Sequence, residues 1–166
     1  MKKSLYEGRF LRLVDHDGWE YVERTNAHSI VAVIAVTHQG DLVLVEQYRP
    51  PVGARVIELP AGLVGDVSDD ESILTAAQRE LEEETGFRAQ SFRSVFKGPI
   101  SAGLSTEMLT YVEAQGVERV AEGGGVGGED IEVHLIPLRD AQSWLKAQST
   151  LVDPKVLSAL VLIAEQ

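Results

Sequence analysis

The residues most suggestive of chemistry lie in RELEEETGF, residues 79 to 87, where Glu80, Glu82, Glu83 and Glu84 gather just before Gly86, a residue type that commonly ends a helix. The C-terminal end of a helix carries partial negative charge, so each exposed carboxylate there costs from about 0.3 to 1 kcal/mol. On a helical wheel Ile73, Leu74, Ala77 and Leu81 share an apolar face, flanked by Glu80 and Glu84, with Glu83 a little further round and Glu82 pointing away. Ordinary solvation and pairing with Arg79 account for Glu82. They do not account for Glu80, Glu83 and Glu84, which neighbour one another at i, i+3 and i+4 and have no lysine close in sequence. Clustered carboxylates raise one another's pKa values unless a cation sits among them. Oxygen donors without nitrogen or sulfur favour magnesium or manganese.

Composition narrows the alternatives. The 166 residues are 44% hydrophobic, which suits one domain spanning 1–166 with a substantial core. No cysteine is present, and His16, His28, His38 and His134 lack metal-ligand spacing, which argues against zinc and against a thiol nucleophile. The formal net charge of -11 argues against broad binding to nucleic acid or anionic lipid. No apolar run reaches the roughly 20 residues that span a bilayer, and MKKSLYEGRF has no apolar stretch behind its lysines, so a cytoplasmic location with no membrane partner is expected.

The elements that must position the glutamates follow from periodicity. LYEGRFLRLV and WEYVERT predict an N-terminal antiparallel strand pair joined by DHDG. IVAVIAVT predicts a strand buried on both faces, and HQGD a turn into its hairpin partner LVLVEQY. RVIELPAG predicts a strand stopped by Pro60 and Gly62, and SFRSVFKG, MLTYVEA and IEVHLIPL predict three more. Ser68 and Glu71 fit a capping box opening the glutamate-bearing helix. Two further helices are expected, one around AQSWLKAQ and one capped by Asp153 with Pro154 at its first position. An α/β or α+β class results.

Gly65, Glu71, Arg79, Glu80, Leu81, Glu83, Glu84, Gly86 and Phe87 resemble the Nudix box: glycine, five residues, glutamate, seven residues, then Arg-Glu-Leu-x-Glu-Glu-x-Gly-Phe. Glu58-Leu59-Pro60-Ala61-Gly62 and Glu46-Gln47-Tyr48-Arg49 are similar to the ADP-ribose pyrophosphatase branch, which acts on nucleoside diphosphate sugars. The resemblance runs from the first strands to about residue 138. It implies an α/β/α sandwich around a central mixed sheet, and a homodimer built with the strands of residues 1–25. It also implies Mg2+, with Mn2+ able to substitute, held by Glu80, Glu84 and the Ala61 carbonyl, with Glu83 as ligand or base and Glu58 as a further acidic group. Arg79 would orient the glutamates. Gly62 lies three residues before Gly65, which reads as a loop insertion with Gly65 at the box spacing by coincidence.

For the base that activates water, the resemblance points to AEGGGVGGEDIEV. Glu129 is the first choice, then Glu83, with Glu122 and Glu132 behind, while Gly127 stands where some relatives carry a glutamate. From composition alone the glycines of residues 123–128 read as a linker. Between two strands, the same run reads as a mobile loop that closes over substrate. By the same resemblance Trp19 stacks on a nucleobase, Arg49 and Arg55 pair with the diphosphate or sugar phosphate, and Glu107 in SAGLSTE, where Ala102 replaces a proline, contacts substrate or metal-bound water. Plain strand packing and surface arginines are the alternatives. The implied activity is Mg-dependent cleavage of a nucleoside diphosphate sugar to a nucleoside monophosphate and a sugar phosphate. Hydrolysis of another diphosphate, such as a dinucleoside polyphosphate, and a silent nucleotide-sugar sensor are the rivals.

Overall fold

The computed structural model describes residues 1–66, 68 and 70–164. β1 (Lys2–Glu7), β2 (Leu11–His16) and β3 (Trp19–Arg24) form an antiparallel three-stranded sheet. The expected pair is thus a trio, because LYEGRFLRLV bends at Gly8, whose N–H donates to the Leu11 carbonyl at 2.8 Å. Asp17 and Gly18, both at positive φ, make the second turn.

β4 (Ser29–Thr37) and β5 (Asp41–Arg49) follow the turn at Gly40. The expected hairpin holds for a single ladder pair, Val36↔Leu42, before the strands diverge. β4 then pairs in parallel with β10 (Met108–Arg119) and antiparallel with β7 (Ala61–Val64). β5 pairs antiparallel with β6 (Ala54–Glu58) and β11 (Ile131–Pro137). β8 (Phe87–Arg88) and β9 (Ser91–Pro99) border β10, and β12 (Leu151–Val152) borders β6. Gly62 therefore lies within a strand, not in a loop that ends one.

Alternation along β4 divides the core. Val31, Val33 and Ala35 face α1 (Ile73–Thr85), where they pack with Ala76, Ala77 and Leu81. Ala32 and Ile34 face the opposite layer, formed by α2 (Ala141–Ala147) and α3 (Pro154–Ala164). A period of two in the strands thus gives an α/β/α sandwich around a mixed sheet. Leu74, expected on the buried face of α1, is 40% exposed, whereas Ala76 is fully buried.

The start of α1 differs from the expected cap. Ser72 is the N-cap, its side chain accepting from the Thr75 N–H at 3.1 Å. Ser68 precedes the helix, and Asp69 of the expected box lies outside the described residues. Glu71 is drawn off by an arginine, leaving Ser72 as the hydroxyl adjacent to the first turn. Asp153 does cap α3, accepting from the Lys155 N–H at 2.8 Å.

Candidate active site

Glu80 and Glu84 occupy the same inward stripe of α1 as Ala76, Ala77 and Leu81. Glu84 is 5% exposed, and its Oε2 accepts from the Ala61 N–H at 3.0 Å. Burial pushes its pKa up to about 8; the Ala61 hydrogen bond opposes this, Glu80 and Glu129 reinforce it, and Arg49 opposes it. These influences place Glu84 at the meeting point of α1, β7, the end of β5 and the loop before β11. Burial also raises the pKa of Glu80, against the lowering effect of Arg79.

Arg79 organises the surrounding carboxylates. Its Nε and Nη2 donate to Glu71 at 2.9 and 3.2 Å, and Nη1 donates to Glu80 at 2.7 Å and Glu83 at 3.3 Å. Nη2 also reaches the Leu63 carbonyl at 3.2 Å. The guanidinium is held well above its ordinary pKa, chiefly by Glu71, and Glu71 is held below the usual carboxylate range by the same bond. Among the described residues no lysine stands beside Glu80 and Glu83, and Arg79 is the cation that meets them, in the orienting position the resemblance implies. Glu82, assigned to solvation and Arg79, instead pairs with Arg88 at 2.7 Å.

Glycines set the close approaches. A Cβ on Gly62 would lie 1.9 Å from Glu80 Oε1, so β7 presses its backbone on the glutamate face. Gly65, at φ +90, is also used: its N–H donates to Glu71 Oε2 at 3.3 Å, and a Cβ there would strike the His28 ring. The match of Gly65 to the box spacing thus coincides with a real contact.

The other candidates fall in three places. Arg49 donates to the buried Glu58 at 2.6 Å, beside Glu84. Arg55 is not a free cation; Nε donates to Glu46 Oε1 at 2.9 Å and Nη1 to Asp130 Oδ2 at 3.0 Å. Trp19 and Glu107 belong to the N-terminal sheet and the segment that pairs with it. Trp19 is 63% exposed, and its Nε1 donates to the Gly103 carbonyl at 3.1 Å. Glu107 accepts from Arg24 Nε at 2.5 Å, next to a cavity of about 100 Å³ that also includes His28 and Thr106. Arg24 was missed by sequence reasoning because its partner is distant along the chain.

Among the residues that rank as bases, Glu129 has its Oε2 held by the Val126 N–H at 3.0 Å and is close enough to affect Glu84. Glu132 stands opposite Glu46 on the neighbouring strand. Among the described residues, the group with ligand atoms within 4.8 Å of one another is Glu46, Glu132 and His134. Glu46 in that group is already shared between Arg55 and His134 Nε2, the latter at 3.1 Å, so its charge is met without an ion. Glu84 has no such basic partner in hydrogen-bond contact.

Comparison with known proteins shows the family. The NUDIX domain model matches residues 27–160. The methanol dehydrogenase activator of Bacillus methanolicus is 33% identical, covering 95% of this chain and 87% of its own. The ADP-sugar pyrophosphatase of Mus musculus is 34% identical, covering 83% of this chain and 70% of its own. A crystal structure of an ADP compounds hydrolase superposes with a TM-score of 0.78 at 22% identity, covering 99% of this chain and 90% of that one, a likeness of fold. The match over residues 27–160 and the identity to these relatives place the chain in the NUDIX domain family, in the branch of the ADP-ribose and ADP-sugar pyrophosphatases.

Proposed function

We propose that the chain is a Mg2+-dependent pyrophosphohydrolase that cleaves nucleoside diphosphate sugars of the ADP-ribose kind, releasing a nucleoside monophosphate and a sugar phosphate. The observation that carries this reading is Glu84, a buried carboxylate with only an N–H partner, set near Glu80 and the Ala61 backbone, with Glu58 bound to the Arg49 that also acts on it. A buried carboxylate of raised pKa is poorly charged at neutral pH unless a cation joins it. These donors are all hard oxygens, so the set fits a divalent cation of the magnesium class, with Glu84, Glu80 and the Ala61 carbonyl holding it and Glu58 joining them once Arg49 exchanges it for a substrate phosphate. When bound, such an ion neutralises the diphosphate oxygens and acidifies water.

The chain's own groups supply the rest. Arg79 fixes the rotamers of Glu80 and Glu83 through charge-assisted bonds and is itself braced by Glu71. Glu129 has Oε2 engaged by Val126, which leaves Oε1 to accept the proton of the attacking water; Glu83 is the second choice. Water adds to phosphorus, the anhydride P–O bond breaks, and the leaving phosphate carries the electron pair. Arg49 and Arg55 are assigned to the phosphates, and Arg55 must exchange Asp130 for substrate to do so. Trp19 and Glu107 are assigned to the base and sugar end. Names of relatives support the substrate class, since they include ADP-sugar, ADP-ribose and GDP-mannose pyrophosphatases.

A homodimer and a cytoplasmic location belong to the same proposal. Val14 is the one buried hydrophobe of the N-terminal sheet, while Leu5, Tyr6, Phe10, Leu11 and Trp19 are exposed. A second copy covering that sheet would bury them. No helix among the described residues is long and apolar enough to cross a membrane. The decisive experiment follows ADP-ribose turnover in Mg2+, with GDP-mannose and a dinucleoside polyphosphate alongside and Glu84→Gln as control. Loss of wild-type turnover on the sugars, with binding retained, would favour the sensor. A second reading rests on the relative named for activating methanol dehydrogenase: the chain acts on a partner enzyme, tested by adding wild type and Glu84→Gln to a purified methanol dehydrogenase.

A further inference from the structure

The glycine-rich segment is not built as a free linker. Gly124 N–H donates to the Glu84 carbonyl at 2.9 Å, and Gly125 N–H donates to the Glu83 carbonyl at 3.0 Å. These carbonyls belong to the last turn of α1, where helical carbonyls have no partner within the helix. The approach is close enough to exclude side chains. A Cβ on Gly123, at φ +75, would lie 2.3 Å from the Thr85 carbonyl carbon, and one on Gly86 would lie 2.3 Å from the Ala121 carbonyl oxygen. The same segment carries Glu129 folded back upon it: a Cβ on Gly125 would meet the Glu129 Cβ and Oε2, both at 2.7 Å. Beyond it, Asp130 is tied to Arg55. Gly127 is different, with positive φ but nothing within 4 Å of an added Cβ.

We infer that Gly123, Gly124 and Gly125 form a backbone brace that docks the Glu129 loop onto the glutamate-bearing end of α1, with Gly123 as the positioning residue. The inference rests on the reading of Glu83, Glu84 and Glu129 given above. The brace joins the backbone of two cation-binding candidates to the loop that carries the base, so one contact sets the distance between them. It also replaces the expected mobile loop with one anchored on its N-terminal side, leaving Val126 to Gly128 as the part free of close contacts to the helix.

The test compares Gly123→Ala with Gly127→Ala, which shares the left-handed backbone but has room for the methyl group. Mn2+ affinity is measured by titration, and kcat and KM on ADP-ribose alongside. The brace predicts that Gly123→Ala weakens Mn2+ binding at least several-fold and lowers kcat by about 10-fold or more with a smaller change in KM, while Gly127→Ala alters none of these beyond about twofold. Equal behaviour of the two variants overturns it. Amide hydrogen exchange on the wild-type chain decides the matter should Gly123→Ala fail to fold. The Gly124 and Gly125 amides are expected to exchange at least about 10-fold more slowly than those of Gly127 and Gly128, and equal rates overturn the brace. Exchange and Mn2+ affinity need no turnover, so a wild type inactive on ADP-ribose counts against the substrate reading and leaves the brace to these measurements.

Discussion

Replacing Glu84 with glutamine should make the metal-free chain more stable at pH 8 and less dependent on pH. Burial raises the Glu84 pKa from 4.5 to about 8 in the folded chain, while the unfolded chain keeps the ordinary value. Below both values the group is protonated in either state and contributes nothing to the difference. Between them the folded state binds a proton that the unfolded state has lost, so stability falls as pH rises through this window, and the full penalty is present above about 8. At about 1.4 kcal/mol for each pH unit, the ceiling on the loss is roughly 4 to 5 kcal/mol. This is a large part of an ordinary folding free energy of about 5–15 kcal/mol, and for a chain of this size it corresponds to a Tm change of about 10 °C or more. Glutamine keeps an oxygen for the Ala61 N–H and carries no proton to lose. The assay is thermal unfolding of both proteins in EDTA at steps from pH 4.5 to 8.5, reading the difference in Tm so that other titrating groups cancel. Glu84→Gln should gain on the wild type steadily as pH rises. Parallel curves, or a wild type more stable than the variant at pH 8 in EDTA, would refute the claim that Glu84 is buried without a cationic partner.

Adding Mg2+ or Mn2+ at pH 8 should raise the wild-type Tm and leave Glu84→Gln much less changed, because a ligand bound only by the folded state stabilises it in proportion to the logarithm of its concentration over Kd. Arg79→Ala removes the partner of Glu71 and Glu80, both largely buried, and should cost about 3–5 kcal/mol in urea unfolding, with turnover falling as the glutamates lose their fixed rotamers. Gly62→Ala drives a methyl into the Glu80 carboxylate and should weaken Mn2+ binding by about 10-fold or more, read by titration. Ser72→Ala should cost about 1 kcal/mol in chemical denaturation by removing the cap of α1, whereas Ser68→Ala should stay within about 0.5 kcal/mol. Removing residues 1–25 should shift the light-scattering mass toward the monomer, and an unchanged association state would remove the N-terminal sheet from the dimer proposal.

Much of the candidate site was legible because helical phase is local. The spacing of Ala77, Glu80, Leu81 and Glu84 placed two glutamates beside an apolar face, and they are buried there. The nearly continuous apolar run IVAVIAVT foretold burial on both faces, and β4 packs against helices on each side. Gly86 as the helix stop followed from its freedom at positive φ, and it caps α1 at φ 71. Ser68 and Ser72 show where local reasoning fails: both are hydroxyls ahead of the same helix, and Glu71, needed to complete the box at Ser68, is claimed by Arg79 through space.

The sequence by itself determined the identity and phase of the glutamates, the elements that bear them and the family they belong to, because these depend on residue type and on spacings of a few residues. Only the tertiary structure decided who partners whom. Arg79 binds Glu71, Glu80 and Glu83 at once, Arg55 is taken up by Glu46 and Asp130, and Glu107 is met by Arg24. The glycine run reads as linker or lid in one dimension and becomes a brace only when the end of α1 is placed beneath it. The physical reason is range. Periodicity and capping act over one or two turns of chain, whereas ion pairs and backbone approaches form between residues that the sheet pairing brings together from far along it.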